Sequence, residues 1–570
     1  MESKNEGGPV IYATVLWLAL STLLGCALSF VAGELTPLLS GLSLLSAFVA
    51  CVFAYRYRAF RIPARPVSLP IALIYAFIGF GIYVHSVFLF FKKDNYWWIQ
   101  DPFNLGDMSF HWGVIRYLAK GAHFWPENPI FMGHRFRYPF GMDLFNAFFE
   151  SLHVPMATHL PLATLACLLI TLYLLHSAGG PLLVFAIFFS GGIYNFLQPG
   201  AWSLTDVQAG LDFKNLFLAV LLTQRGFLYA LPAGLLLYQA VRASFAKTWS
   251  PSSAEKVGFG IIWGALGFFH LHSFFFLSLY LGAFILWQRQ FPLWRWTVLI
   301  AALVGAPFVL NAIWPEAGTS SLIHLSRGWA RGPDTNYVVY WLQNLGPWIV
   351  TMLTAAVYFF WRKRWNDFFP LVLALLLFVI FAHLILAPWD WDNVKLLMWC
   401  YVFGLLAVSD WLWDSRGAIV QTFVFAIFFL PGYFLFVHSL PAFNHGISWV
   451  SDRELNKAEV LLTGHDVNLG MVIAPAYDHT ALLLGYKLYM GYPGHVWSHG
   501  YNYADREAIL ARYFNGDKST VGELKNAQVH LLYQGPFEKQ REPEGGSTFS
   551  ILSPDMKLGQ AFDHELYKLD

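Results

Sequence analysis

Apolar runs recur along the chain up to residue 440, near 9–32, 37–55, 68–91, 157–176, 181–197, 226–243, 257–270, 271–287, 293–314, 338–360, 368–386, 394–413 and 417–440. A hydrocarbon core about 30 Å thick takes roughly 20 apolar residues of helix to cross. The pattern therefore predicts an all-α polytopic membrane domain over residues 1–440 with about thirteen transmembrane helices. The first run follows Lys4 together with Glu2 and Glu6, exceeds a signal-peptide core in length and lacks a small-residue cleavage site, so it reads as a retained span. Beyond residue 440 the apolar runs shorten, charges become dense, and Gly and Pro punctuate the chain. There, 471–474 and 529–533 read as buried strands and 504–514 has helical apolar spacing, which predicts a carboxyl-terminal soluble α/β domain over 441–570.

Short loops rich in Lys and Arg mark the cytoplasmic side of a membrane protein. Four such clusters occur: Arg56, Arg58, Arg61 and Arg65; Arg242, Lys247 and Lys256; Arg289 and Arg295; and Arg362, Lys363 and Arg364. They share one side if the amino terminus is cytoplasmic. The two short runs that meet at His270 and His272 then form a hairpin with its tip outward, and the carboxyl-terminal domain is extracytoplasmic.

Composition narrows the class. Hydrophobic residues make up 57% of the chain, charged residues 12%, and the mean hydropathy is +0.49. Soluble domains carry roughly 25% charged residues, so a cytosolic enzyme is excluded. With 36 Lys and Arg against 35 Asp and Glu, the net charge of +1 excludes nucleic acid as a partner. Cys26, Cys51, Cys167 and Cys400 all lie in apolar runs, where packing is their expected role.

On this topology the unusual polar groups collect on the outer side. The connection 92–160 carries Asp94, Asp101, Asp107, His111, His123, Glu127, His134, Arg135, Arg137 and Asp143, and its length marks it as a functional loop. Its aromatic content, including Trp97, Trp98, Phe103, Phe110, Trp112, Phe124 and Trp125, predicts helices lying in the membrane interface. Asp107 and His111, four apart, share a face if helical and could serve as a base and its orienting partner or as metal ligands; a helix cap at Asp107 is the structural alternative. Further outer loops bring Asp206, Asp212, Lys214, Gln224, Arg225, Glu316, His324, Arg327, Arg331 and Asp334. Trp389-Asp390-Trp391-Asp392-Asn393-Val394-Lys395 puts acids, indoles and a cation at membrane depth, where charges are costly and usually functional, although an interfacial aromatic belt with snorkelling ions is the structural alternative. His270 and His272 could ligate a divalent metal, but positions two apart on a helix do not share a face.

A carboxylate, cations and aromatic walls at the bilayer boundary suit a substrate with a lipid tail, an anionic head and a sugar. Transfer of a sugar from a polyprenyl phosphate needs a base for the acceptor proton and positive charge near the departing phosphate. No nucleotide-sugar fold is visible, so the lipid is expected to carry the donor sugar. The rival class is a transporter or lipid flippase for a glycolipid or another polar-headed substrate, with groups near the midplane.

These features resemble the GT-C superfamily of integral-membrane glycosyltransferases. Asp107 within Gly106 to His111 looks like that family's loop acid, and the segments Trp389 to Lys395 and Gly491 to Gly500 look like those of bacterial membrane proteins grouped with it. The acidic loop of that family usually follows the first span, whereas three spans precede it here. The resemblance implies an enzyme of a bacterial inner (plasma) membrane that uses a polyprenyl-phosphate sugar and an unspecified glycan, protein or lipid acceptor. It implies a base at Asp107, with Asp101 as the alternative. From charge and location, Arg225, Arg327, Arg331 and Lys395 are candidates for the phosphate, or Asp390 and Asp392 simply neutralise Lys395. Trp389 and Trp391 are candidate sugar or lipid walls, and His495, Trp497 and His499 either cap the site or belong to a Gly/Pro-framed turn.

Overall fold

The computed structural model describes the chain except residues 1–6, 57–59, 61, 63–64, 102–103, 193–209, 441–445, 542–551, 553 and 570. Arg58, Arg61, Phe103, Asp206 and the end of the 181–197 run therefore lie outside the described residues, as do the charged residues before the first span.

The chain is mainly helical. Among the described residues, six helices are long and apolar enough to cross a membrane, or up to eight if each of two bent helix pairs is one span. The bundle begins with α1 (Gly7–Ala32), α2 (Pro37–Arg56) and α3 (Leu69–Val87). After the long connection come α6 (Met156–Phe188), α7 (Phe227–Phe245), α8 (Ser253–Phe269), α9 (Leu271–Trp287) and α10 (Phe291–Ile313). The helices α11 (Tyr337–Leu345) and α12 (Trp348–Trp361) are bent by 95° at Gly346 and Pro347. They are followed by α13 (Trp365–His383), α14 (Val394–Ser409) and the bent pair α15 (Ala418–Phe428) and α16 (Leu430–Ser439). Two of the expected runs, 157–176 and 181–197, start in the two helical segments of α6, which are broken from each other at Gly179 and Gly180 just before Pro181. Gly180 there has φ +64°, a left-handed conformation open to glycine.

Contacts tie the four basic clusters to one end of the bundle. Phe60 packs on Trp249, the Ser244 hydroxyl donates to Gln290, and Trp287 stacks on Phe369. Arg65 pairs with Asp414 at 2.5 Å, and Arg364 lies 3.6 Å from Asp410. The continuous helical segment from Asp390 to Asp414 runs from this end to the other. A span of that length covers about 37 Å, so Lys395 and the polar groups around it sit at the opposite end from the basic clusters.

At that opposite end the 92–160 connection folds as a hairpin, β1 (Phe90–Lys93) with β2 (Tyr96–Ile99), then α4 (Leu105–Ala119) and α5 (Gly141–Ser151). Strand β5 (Ile447–Ser451) adds to β2, so the segment after α16 is tied to the loop by a three-stranded antiparallel sheet. The short strands β3 (His324–Leu325) and β4 (Leu384–Ile385) pair beside it. The strands and helix expected late in the chain are present: β6 (Gly470–Val472) pairs in parallel with β7 (Val529–Gln534), β9 (His564–Lys568) lies antiparallel between β7 and β8 (Lys557–Ala561), and a helix spans Ala504–Phe514. The loop helices were expected to lie in the interface. Instead, most of α4 and α5 is buried: the chain after β5 covers α4, and α5 packs against α4 and α1, where Trp17 meets Phe145. Gly113 of α4 meets Leu482, Asn468 bonds Gly121 and His123, and Arg506 donates to Met132 and lies over the Phe131 ring.

Candidate functional site

Helix α4 starts at Asn104, whose side chain makes no cap bond, and carries Asp107 in its first turn. The Asp107 carboxylate is therefore not consumed as a cap. It accepts a hydrogen bond of 3.3 Å from Gln224, which lies just ahead of α7. Burial pushes its pKa above the ordinary carboxylate range; His111 and Lys395 pull it down and Asp392 pushes it up.

A cavity of about 380 Å³ opens beside it. One wall is Gly106, Asp107, Phe110 and Tyr138 from the loop, another is Trp389, Trp391, Asp392 and Lys395 ahead of and in α14, and a third is Tyr492 to His499 from the carboxyl-terminal segment, with Gln224 below. A smaller cavity of about 100 Å³ continues from it, sharing Tyr138, Gln224, Asp392, Lys395, Ser498 and His499, and reaching His270 and His272. His270 caps both α8 and α9, with its backbone extended at φ −159°, so a helix break carries the two histidines to the cavity floor.

Each wall is fixed locally. Asn393 donates to the carbonyls of Phe381 and Leu384 and accepts from Leu386 N–H, which sets the entry to α14. The Trp391 indole donates to the Asp212 carbonyl at 2.8 Å and packs against Trp389, whose ring is half-exposed at the rim. Lys395 lies 3.0 Å from Asp392, one turn away, so the ammonium and carboxylate form an ion pair with both partners on the wall. Asp390 points elsewhere and pairs with His324 at 2.7 Å. The carboxyl-terminal wall is a short helix, Pro493–Ser498, with His499 as its C-cap. Phe110 packs against His495 and His499, and Tyr138 against His499. Burial, then the neighbouring His111, pushes His495 down to about 4, and burial pushes His499 well below the usual imidazole range. Both rings are neutral near pH 7 and have a buried Nδ1 with no hydrogen-bond partner among the described residues.

The expected residues separate into two sets. Asp107, Trp389, Trp391, Asp392, Lys395, His495, Trp497 and His499 line the larger cavity, and His270 and His272 line its continuation. Asp101, Arg225, Arg327 and Arg331 line neither. Arg331 is spent on the backbone carbonyls of Arg327, Gly332 and Thr335. Arg225 is buried, donates to the Thr164 hydroxyl at 2.8 Å and lies in the field of Asp143. His111, offered as the partner of Asp107, is itself held by another acid: its Nδ1 lies 2.9 and 3.0 Å from the two oxygens of Asp143. Asp143 and Asn393 stand out in the sequence only as members of the 92–160 connection and of the Trp389–Lys395 segment, without a role of their own, and Tyr138 is given none. The one signal for Asp143 is its place as the sole acid in the first turn of a helix whose other buried residues are uncharged.

Among the described residues, one group has metal-ligand atoms clustered together, Glu454, Asp563 and His564, far along the chain from the cavity. The Lys457 ammonium already binds Glu454 at 2.8 Å and Asp563 at 2.6 Å, so those carboxylates carry an internal cation. The cavity can take a proton at Asp107, oppose an anion with Lys395, and stack a flat ring on its indoles. Compared with known proteins, the chain matches no family model and no curated protein.

Proposed function

We propose that this protein is a membrane glycosyltransferase of the GT-C kind. It moves a sugar from a polyprenyl-phosphate donor to an acceptor on the extracytoplasmic face of a bacterial inner membrane. The full proposal includes about thirteen spans, a cytoplasmic amino terminus and an extracytoplasmic α/β domain after residue 440. It rests on one observation: Asp107, Lys395 and the indoles of Trp389 and Trp391 line a single cavity at the end of the bundle away from the basic loops. Positive loops favour the cytoplasmic side, which supports an outward cavity.

The chemistry follows from these groups. The acceptor hydroxyl gives its proton to the Asp107 carboxylate as its oxygen bonds to the sugar's C1. The C1–O bond to phosphate breaks, and the electron pair leaves on the polyprenyl phosphate, whose charge Lys395 opposes. Burial of Asp107 makes its carboxylate a stronger base than an exposed one. Purified protein in lipid nanodiscs, given polyprenyl-phosphate-linked radiolabelled sugars and a membrane glycan extract, tests the reading. Wild type is expected to release labelled product, and Asp107→Asn to lose about 10²-fold or more while keeping its thermal stability. Equal turnover by both proteins overturns the assignment of the base.

A further inference from the structure

The strongest polar pairing beside the cavity is one the reaction above does not use. His111 and Asp143 are both almost fully buried, and Nδ1 of the ring sits at nearly equal distance, 2.9 and 3.0 Å, from the two carboxylate oxygens. A protonated carboxyl would aim one O–H at the ring, whereas an ionised carboxylate accepts a shared N–H through both oxygens. The buried Arg225 guanidinium, interacting with Asp143, supplies the counter-charge that an ionised carboxylate needs at this depth. The other ring nitrogen, Nε2, is buried and has no hydrogen-bond partner among the described residues. The groups around this imidazole are Asp107 on its own helix, Asp143 on α5, Tyr138 before α5, and His495 and His499 from the carboxyl-terminal wall. Of these, Asp107, Tyr138, His495 and His499 line the cavity. Asp107 and His111, four apart in α4, stand one above the other on the same face, with Cβ atoms about 5–6 Å apart.

We propose that Asp143 is a positioning residue that locks His111 in the Nδ1–H tautomer, leaving the Nε2 lone pair to receive the proton that Asp107 takes from the acceptor. The inference rests on the glycosyltransferase reading for its place in the reaction, but the tautomer does not. In the step, the acceptor proton moves to the Asp107 carboxylate, which is not hydrogen-bonded to His111 in the resting structure and turns towards the ring to pass the proton to Nε2. Asp107 is left ionised, and His111 becomes an imidazolium held against the Asp143 carboxylate. The acceptor oxygen forms the bond to C1, and the phosphate leaves with the electrons of the broken C1–O bond. Arg225 is reassigned by the same geometry from a phosphate ligand to the counter-ion of Asp143.

The test is the nitrogen-15 NMR spectrum of histidine-labelled protein in nanodiscs at pH 7. The His111 signals are identified by their loss in His111→Gln. The expected result is a protonated Nδ1 and a bare Nε2 in wild type, switching towards a protonated Nε2 in Asp143→Asn, whose amide can donate to Nδ1. A protonated Nε2 in wild type overturns the proposal. Transfer kinetics give the second arm: Asp143→Asn is expected to lose about 10²-fold or more in rate with a displaced acid limb of the pH profile. An unchanged pH profile, with only thermal stability reduced, reduces Asp143 to a structural role and overturns the proposal. Absence of transfer from any lipid-linked sugar by wild type removes the glycosyltransferase reading, while the tautomer still decides whether Asp143 positions His111.

Discussion

At the scale of single residues, the cavity has one cation on its wall, and that cation already has a partner. Lys395 and Asp392 at 3.0 Å can be a closed ion pair or a phosphate site in which the acid holds the ammonium in place. Lys395→Met and Asp392→Asn separate these. A phosphate site predicts that binding of polyprenyl phosphate to nanodisc-held protein weakens by about tenfold or more in Lys395→Met, in line with a charge-assisted hydrogen bond of roughly 1.5–3 kcal/mol, and much less in Asp392→Asn. Similar losses of melting temperature in both, with lipid affinity intact, remove Lys395 from the site. His495 gives a prediction in pH. Its folded pKa of about 4 lies below the ordinary 6.5, so between these values the unfolded chain holds a proton that the folded protein refuses. Stability is present above pH 6.5 and falls as pH drops towards 4. Thermal unfolding across that window is expected to show a shallower decline in His495→Gln than in wild type, and identical slopes contradict the burial of the ring. Sequence carried the acid, the indoles and the lysine, since charges and aromatics at membrane depth stand out by type. It also offered the pairing of Lys395 with Asp392, three positions apart, but not that of His111: Asp143 reaches it across 32 positions, a contact that no local spacing encodes.

Among the elements, the helix break at His270 decides how the floor of the cavity is built. Gly226, at the head of α7, sits so close to this break that an added Cβ would stand 2.1 Å from the Phe269 carbonyl oxygen. That oxygen is backbone and cannot swing aside. Gly226→Ala is therefore expected to push α7 off the tip of the α8 and α9 pair, costing about 1–3 kcal/mol in thermal unfolding and loosening the Gln224 contact with Asp107. Gly282, in the middle of α9, has nothing within 4 Å of its would-be Cβ. Gly282→Ala should be neutral or stabilising by up to about 1 kcal/mol, and comparable destabilisation by both substitutions contradicts the close approach at Gly226. The break itself was legible, because a single long helix through His270-Leu271-His272 would carry Arg289 to the side opposite the other basic clusters. The burial of α4 and α5 was not. Their aromatic residues look the same in sequence whether they face lipid headgroups or another part of the chain, and only the docking of the later chain on α4 and of α1 on α5 distinguishes the two.

For the molecule as a whole, the bundle brings its basic loops to one end and the cavity to the other, and the long polar connection joins the carboxyl-terminal segment to roof that cavity. The helical, membrane-spanning character of the chain was plain from its apolar runs, since roughly 20 apolar residues in succession leave few alternatives. How the segment after residue 446 meets the loop was not, because β5 pairs with β2 across some 350 positions, and backbone pairing at that range leaves no mark on composition. On the proposed reading, one cavity at the bilayer boundary serves both the lipid phosphate and the base. A cryo-electron microscopy map of the full chain in nanodiscs containing a polyprenyl phosphate tests this most directly. The expected result is headgroup density within hydrogen-bond distance, about 3 Å, of the Lys395 ammonium, with the Asp107 carboxylate on the same cavity and the bilayer edge level with Trp389. A map with the headgroup bound elsewhere, or with the cavity buried at the bilayer midplane, would contradict it.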